Sequence, residues 1–208
     1  MNVIGFDDGP FARRHRGDVL LVGAVCSGTR LDGVVSGRVR RDGANAARAM
    51  AALVRGSQFA SHVRAVMLQG IAVAGFNVVD VRALRDALGV PVLVVMRRPP
   101  DMLAVRRALF SADPAARPSV RGAARKWGLI ERAGEIEPLG AWAVAAHDPP
   151  TGLRGGSPRL WVQRCGLSLE AARRLVARTT LHGNVPEPLR LAHLIAGGIA
   201  AGRSRGRA

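Results

Sequence analysis

The chain has 208 residues, 48% of them hydrophobic and 22% charged, which suits one globular domain with a full core. Its formal net charge of +16 excludes an acidic, self-solvating chain and points to a polyanionic partner. No apolar run approaches the roughly 18 residues that span a bilayer. The start MNVIGFDDG has neither a basic region nor a long apolar stretch, so no membrane segment and no secretory leader are expected.

Aromatic residues make up only 4% of the chain, so the core must be aliphatic. Of the 31 basic residues only Lys126 is a lysine. A GC-rich coding bias accounts for Arg over Lys but not for the shortage of acidic residues. Cys26 and Cys165 lie in apolar runs without metal-ligand spacing, and read as buried, reduced residues of a cytoplasmic protein.

In chain order, the first forty residues predict three strands. Val3 to Asp7 ends in the turn Asp-Asp-Gly-Pro; Asp18 to Cys26 and Leu31 to Val39 complete an antiparallel meander. Apolar spacing predicts a helix over Ala44 to Arg55, stopped by Gly56. Val63 to Leu68 reads as a buried strand, followed by a Gly-rich stretch from Gly70 to Gly75. A helix over Val78 to Leu88 and a strand over Val90 to Met96 make a right-handed parallel unit. Asp101 to Phe110 is helical. Residues 111–125 and 146–159 are rich in Pro, Gly, Arg and Ala and read as mobile inserts. Strands are expected over Lys126 to Arg132, Ala141 to Ala145 and Arg159 to Arg164.

Ser168 caps a helix to about Arg178, and Pro188 opens a last one over Glu187 to Ala201, where Leu191, Leu194, Ile195 and Ile199 form the apolar stripe. Residues 202–208 read as a disordered basic tail. Three antiparallel strands followed by helix, strand, helix, strand and late helices is a ribonuclease H-like order. The expected class is α/β, a mixed sheet flanked by helices in a single domain over residues 1–201.

Several residues could carry chemistry. Asp7 and Asp8 close the first strand, where an oxygen ligand would face solvent at the sheet edge. Neighbours on a strand point to opposite faces, so only one of the two can aim at a given site. Asp42 precedes the first helix and follows Arg38, Arg40 and Arg41. It reads either as a helix-entry residue or as a second carboxylate. Asp32 sits at a turn into a strand. Gln69 ends the buried strand at the edge where Asp7 should lie. Glu187, Arg190 and His193 recur at a spacing of three on one side of the last helix. Trp127, Trp142 and Trp161 read as core residues.

The segments IGFDDGPF (4–11), RLDGVVSGRVRRDGANA (30–46), GFNVVD (75–80), LGVPVLVVMRR (88–98) and VPEPLRLAHLI (185–195) resemble the endonuclease V-related family described as endonuclease dU. The likeness covers nearly the whole chain. A more distant resemblance to endonuclease V itself implies roles. Gly5-Phe6-Asp7 is similar to that family's Gly-x-Asp; Arg41-Asp42-Gly43 is similar to its Arg-Glu-Gly, with Asp for Glu. Pro186 to His193 matches its Pro-Glu-Pro-x-Arg-x-Ala-His segment. Gln69-Gly70 stands where that family has Asp-Gly, which removes a charge; Asp8 or Asp32 could replace it. That family's aromatic-proline strand wedge has no counterpart here.

The resemblance therefore implies a metal-dependent endonuclease acting on DNA with deaminated bases, deoxyuridine or deoxyinosine. Asp7, Asp42 and His193 would be catalytic. Asp7, Asp42, Asp8 and Gln69 would hold Mg²⁺ or Mn²⁺. Arg40, Arg41 and Arg190 would contact nucleic acid. The alternatives are a nucleic-acid-binding protein with a weakened metal site and an RNA nuclease of the same fold.

Overall fold

The central strand, β1 (Asn2–Asp8), is buried from Val3 to Phe6 and is covered on both faces in the computed structural model. That structure describes residues 1–110, 120–140, 160–181 and 183–204. β1 pairs antiparallel with β2 (Asp18–Ser27), which turns at Gly28 into β3 (Arg30–Arg40), also antiparallel. After helix α1 (Ala46–Arg55), β4 (Val63–Gln69) runs parallel to β1 on its other side. A hairpin of β5 (Ala72–Val73) and β6 (Asn77–Val78) leads into α2 (Val81–Leu88) and β7 (Val92–Met96), parallel to β4. There follow α3 (Met102–Phe110), α4 (Ala123–Arg132), a short β8 (Glu137–Pro138), β9 (Trp161–Cys165), α5 (Leu169–Thr179) and α6 (Glu187–Ala201). β9 is antiparallel to β7, and the seven-stranded sheet has the order β3-β2-β1-β4-β7-β9-β8.

Strand alternation divides the core into two layers. Ile4, Phe6, Val66 and Leu68 face α1 and α2, in one cluster with Met50, Val54 and Leu84. Val3, Ala65, Met67 and Leu93 face α5 and α6, in a second cluster with Leu175, Val176 and Leu189. A third, smaller cluster joins Val78 and Leu109 to Leu129 and Ile130 of α4.

The strand expected over Lys126 to Arg132 is helix α4. Its buried residues are Lys126, Leu129 and Ile130, with Ala133 following. That spacing of three and four is helical, and the short apolar Trp-Gly-Leu-Ile run had hidden it. The helix expected over Val78 to Leu88 starts later, at Val81, because the Asp80 carboxylate accepts from the Ala83 amide at 3.0 Å and caps it. Ser168 caps α5 as expected, accepting from the Ala171 amide at 3.1 Å. The strand expected over Ala141 to Ala145, Trp142, and the insert over residues 146–159 lie outside the described residues, as do 111–119 of the other insert; its remaining residues, 120–125, lead into α4. Of the tail, Ser204 is placed by its hydroxyl, which donates to the Leu194 carbonyl at 2.6 Å.

The last helix sits the other way round from its hydropathy pattern. Its buried residues are Glu187, Pro188, Leu189, Ala192 and Ala196; Ile199 is 62% exposed, and Leu191, Leu194 and Ile195 are half-buried. Small side chains and Gly5 beneath them allow close approach to β1, so close contact rather than bulk decides the buried face. A buried Glu187 is tolerated because Arg190 pairs with it bidentately, at 2.6–3.0 Å. No helix among the described residues is long and apolar enough to cross a membrane. Cys26 and Cys165 are free and buried.

Candidate active site

The carboxyl ends of β1 and β4 lie side by side, Phe6 pairing with Leu68. One residue further along, alternation places Asp7 and Gln69 on the α6 face, with Asp8 turned toward the hairpin. On the α6 face the His193 Nδ1 lies 2.8 Å from Asp7 Oδ2, joining residues 186 apart in sequence. The Asp8 amide donates to the other Asp7 oxygen at 3.0 Å. With Asp7 ionised, Nδ1 is the donor, which leaves Nε2 as the ring's second functional atom. The Gln69 Oε1 is buried and has no hydrogen-bond partner among the described residues. An unsatisfied buried amide oxygen is costly, and its usual explanation is an absent ligand or a functional role.

The two aspartates sit in a poor solvent for charge. Burial pushes the Asp7 carboxyl above its ordinary value, opposed by the hydrogen bonds from His193 and the Asp8 amide. Burial and the adjacent Asp7 charge push Asp8 up to about 6, opposed by the Ala74 amide. A folded-state value above the unfolded 3.8 means that Asp8 favours folding below about pH 4 and loses that contribution as the pH rises through 6. Asp8→Asn is therefore expected to raise stability at pH 7.5, without divalent cation, by about 1–3 kcal/mol. The gain should vanish at pH 4. Urea unfolding at the two pH values checks this; an equal gain at both would refute it.

On the hairpin side Asp42 is the organising residue. Its Oδ1 accepts from the Phe76 amide at 2.8 Å, its own amide donates to the Ala74 carbonyl at 2.9 Å, and Oδ2 lies 3.2 Å from Arg41 Nε. Asp42 (φ +51°) and Ala74 (φ +48°) are the two non-glycine residues with positive φ among those described, a backbone state that costs energy and persists only when its surroundings impose it. Gly75 holds φ +84°, a backbone state that favours glycine, and a Cβ there would lie 2.5 Å from Asp42 Oδ1 and displace that carboxylate. Lys126, 3% exposed, donates from Nζ to the Asp42 carbonyl at 2.5 Å. Burial pushes its ammonium below the ordinary value, and Asp42 opposes this.

Beyond Asp42 opens a cleft of ≈ 1050 Å³ whose walls include Arg13, Arg16, Arg40, Arg121 and Arg125. Asp42 and Lys126 belong to this wall; Asp7, Asp8, Gln69 and His193 do not. The structure thus joins Asp7 to His193, and joins Asp42 to the hairpin that meets Asp8. Among the described residues no three His, Cys, Asp or Glu side chains are grouped as a metal site. Asp32 lies at the far end of the sheet, paired with Arg30 at 2.8 Å and beside Asn2, so it cannot replace the carboxylate missing at Gln69. Of the three arginines singled out by sequence, Arg40 and Arg41 line the cleft. Arg41 Nη1 donates to the Arg13 carbonyl at 2.7 Å and to the His15 carbonyl, under cation–π contact with Phe11. Arg190 is held by Glu187.

Sequence reasoning missed Lys126, taken as a strand residue, and Asn77. Asn77 is fully buried; it accepts from the Ala46 amide and donates to the Arg40 carbonyl at 2.9 Å and to Asn45 Oδ1 at 2.8 Å, fastening the loop of Asp42 to β6. Its one signal was its place in the GFNVVD segment.

A mixed sheet with β1 central, an aspartate at its end and a histidine brought in from the last helix defines a ribonuclease H-like fold. The same fold is found in the endonuclease V of Ciona intestinalis solved with a DNA 24mer containing an inosine followed by a ribo-adenosine (TM-score 0.55, 13% identity, 92% of this chain and 82% of that one). It is found also in the catalytic domain of human endonuclease V (TM-score 0.53, 16% identity, 94% and 80%). The family model for endonuclease dU matches residues 1–200, and the chain belongs to that family, which places it among the nucleases. It is 49% identical to a UPF0215 protein of Deinococcus radiodurans over 99% of this chain and 92% of that one. A protein of unknown function from Archaeoglobus fulgidus shares 29% identity and a TM-score of 0.78, covering 96% of this chain and 98% of that one.

Proposed function

We propose that this protein hydrolyses phosphodiester bonds in DNA carrying a deaminated base, deoxyuridine or deoxyinosine, with Mg²⁺ or Mn²⁺ as cofactor. The observation that carries the reading is the contact of Asp7 with His193 beside the unsatisfied Gln69 oxygen. The substrate rests on the family's description and on the inosine-containing DNA bound by the Ciona enzyme.

The donors fit a hard divalent cation. Asp7 and Gln69 offer oxygens on the α6 face, where among the described residues Gln69 Oε1 has no hydrogen-bond partner. Asp8, turned to the opposite face toward the hairpin that Asp42 organises, is a further carboxylate whose burial already disfavours charge without a counter-ion. Asp42 stands nearby on the cleft side. A bound cation would offset phosphate charge and acidify a water. Asp7 fixes the His193 ring so that Nε2 can accept a proton from water or give one to the leaving oxygen. The five exposed arginines of the cleft, Arg13, Arg16, Arg40, Arg121 and Arg125, bind the backbone phosphates. A lesion base is cheaper to unstack than a paired one, which favours damaged DNA over intact duplex.

The charge that Gln69 lacks favours a second reading, a protein of this fold that binds nucleic acid without cutting it. One experiment separates the two. Labelled duplexes with one deoxyuridine, one deoxyinosine or neither, and matched RNAs, are incubated with Mn²⁺, Mg²⁺ or EDTA. Divalent-dependent cleavage confined to the lesion DNAs is expected; tight binding without cleavage favours the second reading, and faster RNA cleavage overturns the substrate. For binding itself, five phosphate contacts predict that log K falls against log salt concentration with a slope of about −4 to −5, and by about 1 less in Arg121→Ala. A salt-independent affinity would remove the cleft from the binding surface.

A further inference from the structure

The chain writes arginine at every basic position except 126. That exception is also a buried basic residue, 3% exposed in the wall of a cleft where Arg13, Arg16, Arg40, Arg121 and Arg125 are exposed and Arg41 is half-buried. A coding bias that fills every other site with arginine leaves a lysine where a guanidinium does not fit. The compact ammonium is a point donor; the guanidinium is a broad planar fork. Lys126 Nζ spends its contact on a main-chain oxygen, that of Asp42.

That carbonyl belongs to one of the two strained residues of the described chain, and the other, Ala74, is hydrogen-bonded to it. From there the contacts run one way: the Asp42 carboxylate receives the Phe76 amide, and the Ala74 amide meets Asp8. Strain of this kind needs a restraint from outside the two loops. α4, packed through Leu129 and Ile130 on Val78 of β6, supplies it.

We propose that Lys126 is a positioning residue: from the cleft wall it holds the Asp42 carbonyl, and so sets the hairpin against which the Asp8 carboxylate rests. It links the surface that grips the strand to the carboxylates at the sheet edge. Its kinetic consequence rests on the nuclease reading above; its structural consequence does not.

The test compares Lys126→Met, Lys126→Arg and the neighbouring cleft variant Arg125→Ala in the full chain. Amide hydrogen exchange at Phe76 and Ala74, Mn²⁺ affinity by calorimetry, and kcat and KM on lesion DNA are measured. In Lys126→Met, Phe76 should exchange about tenfold faster, as for one lost hydrogen bond. Mn²⁺ should bind more weakly, and kcat should fall about 10–100-fold with KM little changed, as for misplacement of reacting groups. Lys126→Arg should not restore either. Arg125→Ala should raise KM and leave Phe76 exchange as in the wild type. A Lys126→Met protein with wild-type exchange at Phe76 overturns the proposal, and so does a rise in KM alone, which would make Lys126 a phosphate contact. If the wild type cuts no lesion DNA, the nuclease reading fails, and the exchange data alone still decide the positioning role.

Discussion

Asp7→Asn is expected to abolish cleavage to within background, a loss on the order of 10³-fold, while the protein stays folded. Asparagine keeps the volume and an oxygen that can accept from His193 Nδ1, so the ring keeps its place. What it removes is charge. A neutral oxygen neither stabilises an imidazolium nor holds a hard cation, and general acid–base assistance alone is worth about 10²–10⁴-fold. Because burial raises Asp7, the asparagine variant should be no less stable than the wild type at neutral pH. His193→Ala should lose on the order of 10²-fold by the same mechanism. The double variant should lose little more than Asp7→Asn alone, since groups acting as a unit are not additive. Single-turnover rates with saturating Mn²⁺ check all three. Multiplying losses would mean that the 2.8 Å contact is structural, and cleavage by Asp7→Asn within tenfold of the wild type would move the chemistry elsewhere.

The elements that carry Asp7 and His193 were legible because their signals are local. β1 is a short apolar run closed by Asp-Asp-Gly-Pro, and α6 opens with Pro-Glu-Pro. Meeting of the two is not local, and only the family likeness pointed to it. Alternation along β1 had already required Asp7 and Asp8 to diverge, and they do: one meets α6, the other the hairpin. The orientation of α6 was misread because hydrophobicity was taken as the guide to its buried face. The helix instead lies on a glycine, and backbone contact selects Leu189, Ala192 and Ala196. α4 was misread because a run of four or five apolar residues does not distinguish period two from 3.6. That error concealed Lys126, whose meaning depends on a contact 84 positions away. The role of Asp42 was left between helix entry and ligation; its oxygens in fact bridge to Phe76 and Arg41, a tertiary use that no cap pattern signals.

Gly5→Ala is expected to do the greatest damage to the fold for the smallest chemical change. A Cβ at position 5 would lie 2.4 Å from the Pro188 carbonyl carbon, 2.5 Å from its oxygen and 2.7 Å from the Leu189 nitrogen. All three are main-chain atoms, so no rotamer change relieves the clash. Pro186 and Pro188 stiffen the helix start, and the sheet beneath is fixed by pairing with β2 and β4. α6 must therefore lift from β1, at a cost of about 3 kcal/mol or more, or roughly 10 °C in thermal midpoint for a chain of this size. His193 rides on the same helix a little over one turn along, so lifting α6 also separates its ring from Asp7. Cleavage should then fall even at temperatures where Gly5→Ala remains folded, which uniform destabilisation would not produce. Gly128→Ala is the matching control. It lies within α4, and its Cβ would meet only the Arg132 guanidinium at 3.7 Å. There alanine should gain about 0.5–1 kcal/mol from helix propensity. Equal stability of the two alanine variants would show that α6 does not rest on Gly5, and the route by which His193 reaches Asp7 would have to be drawn differently.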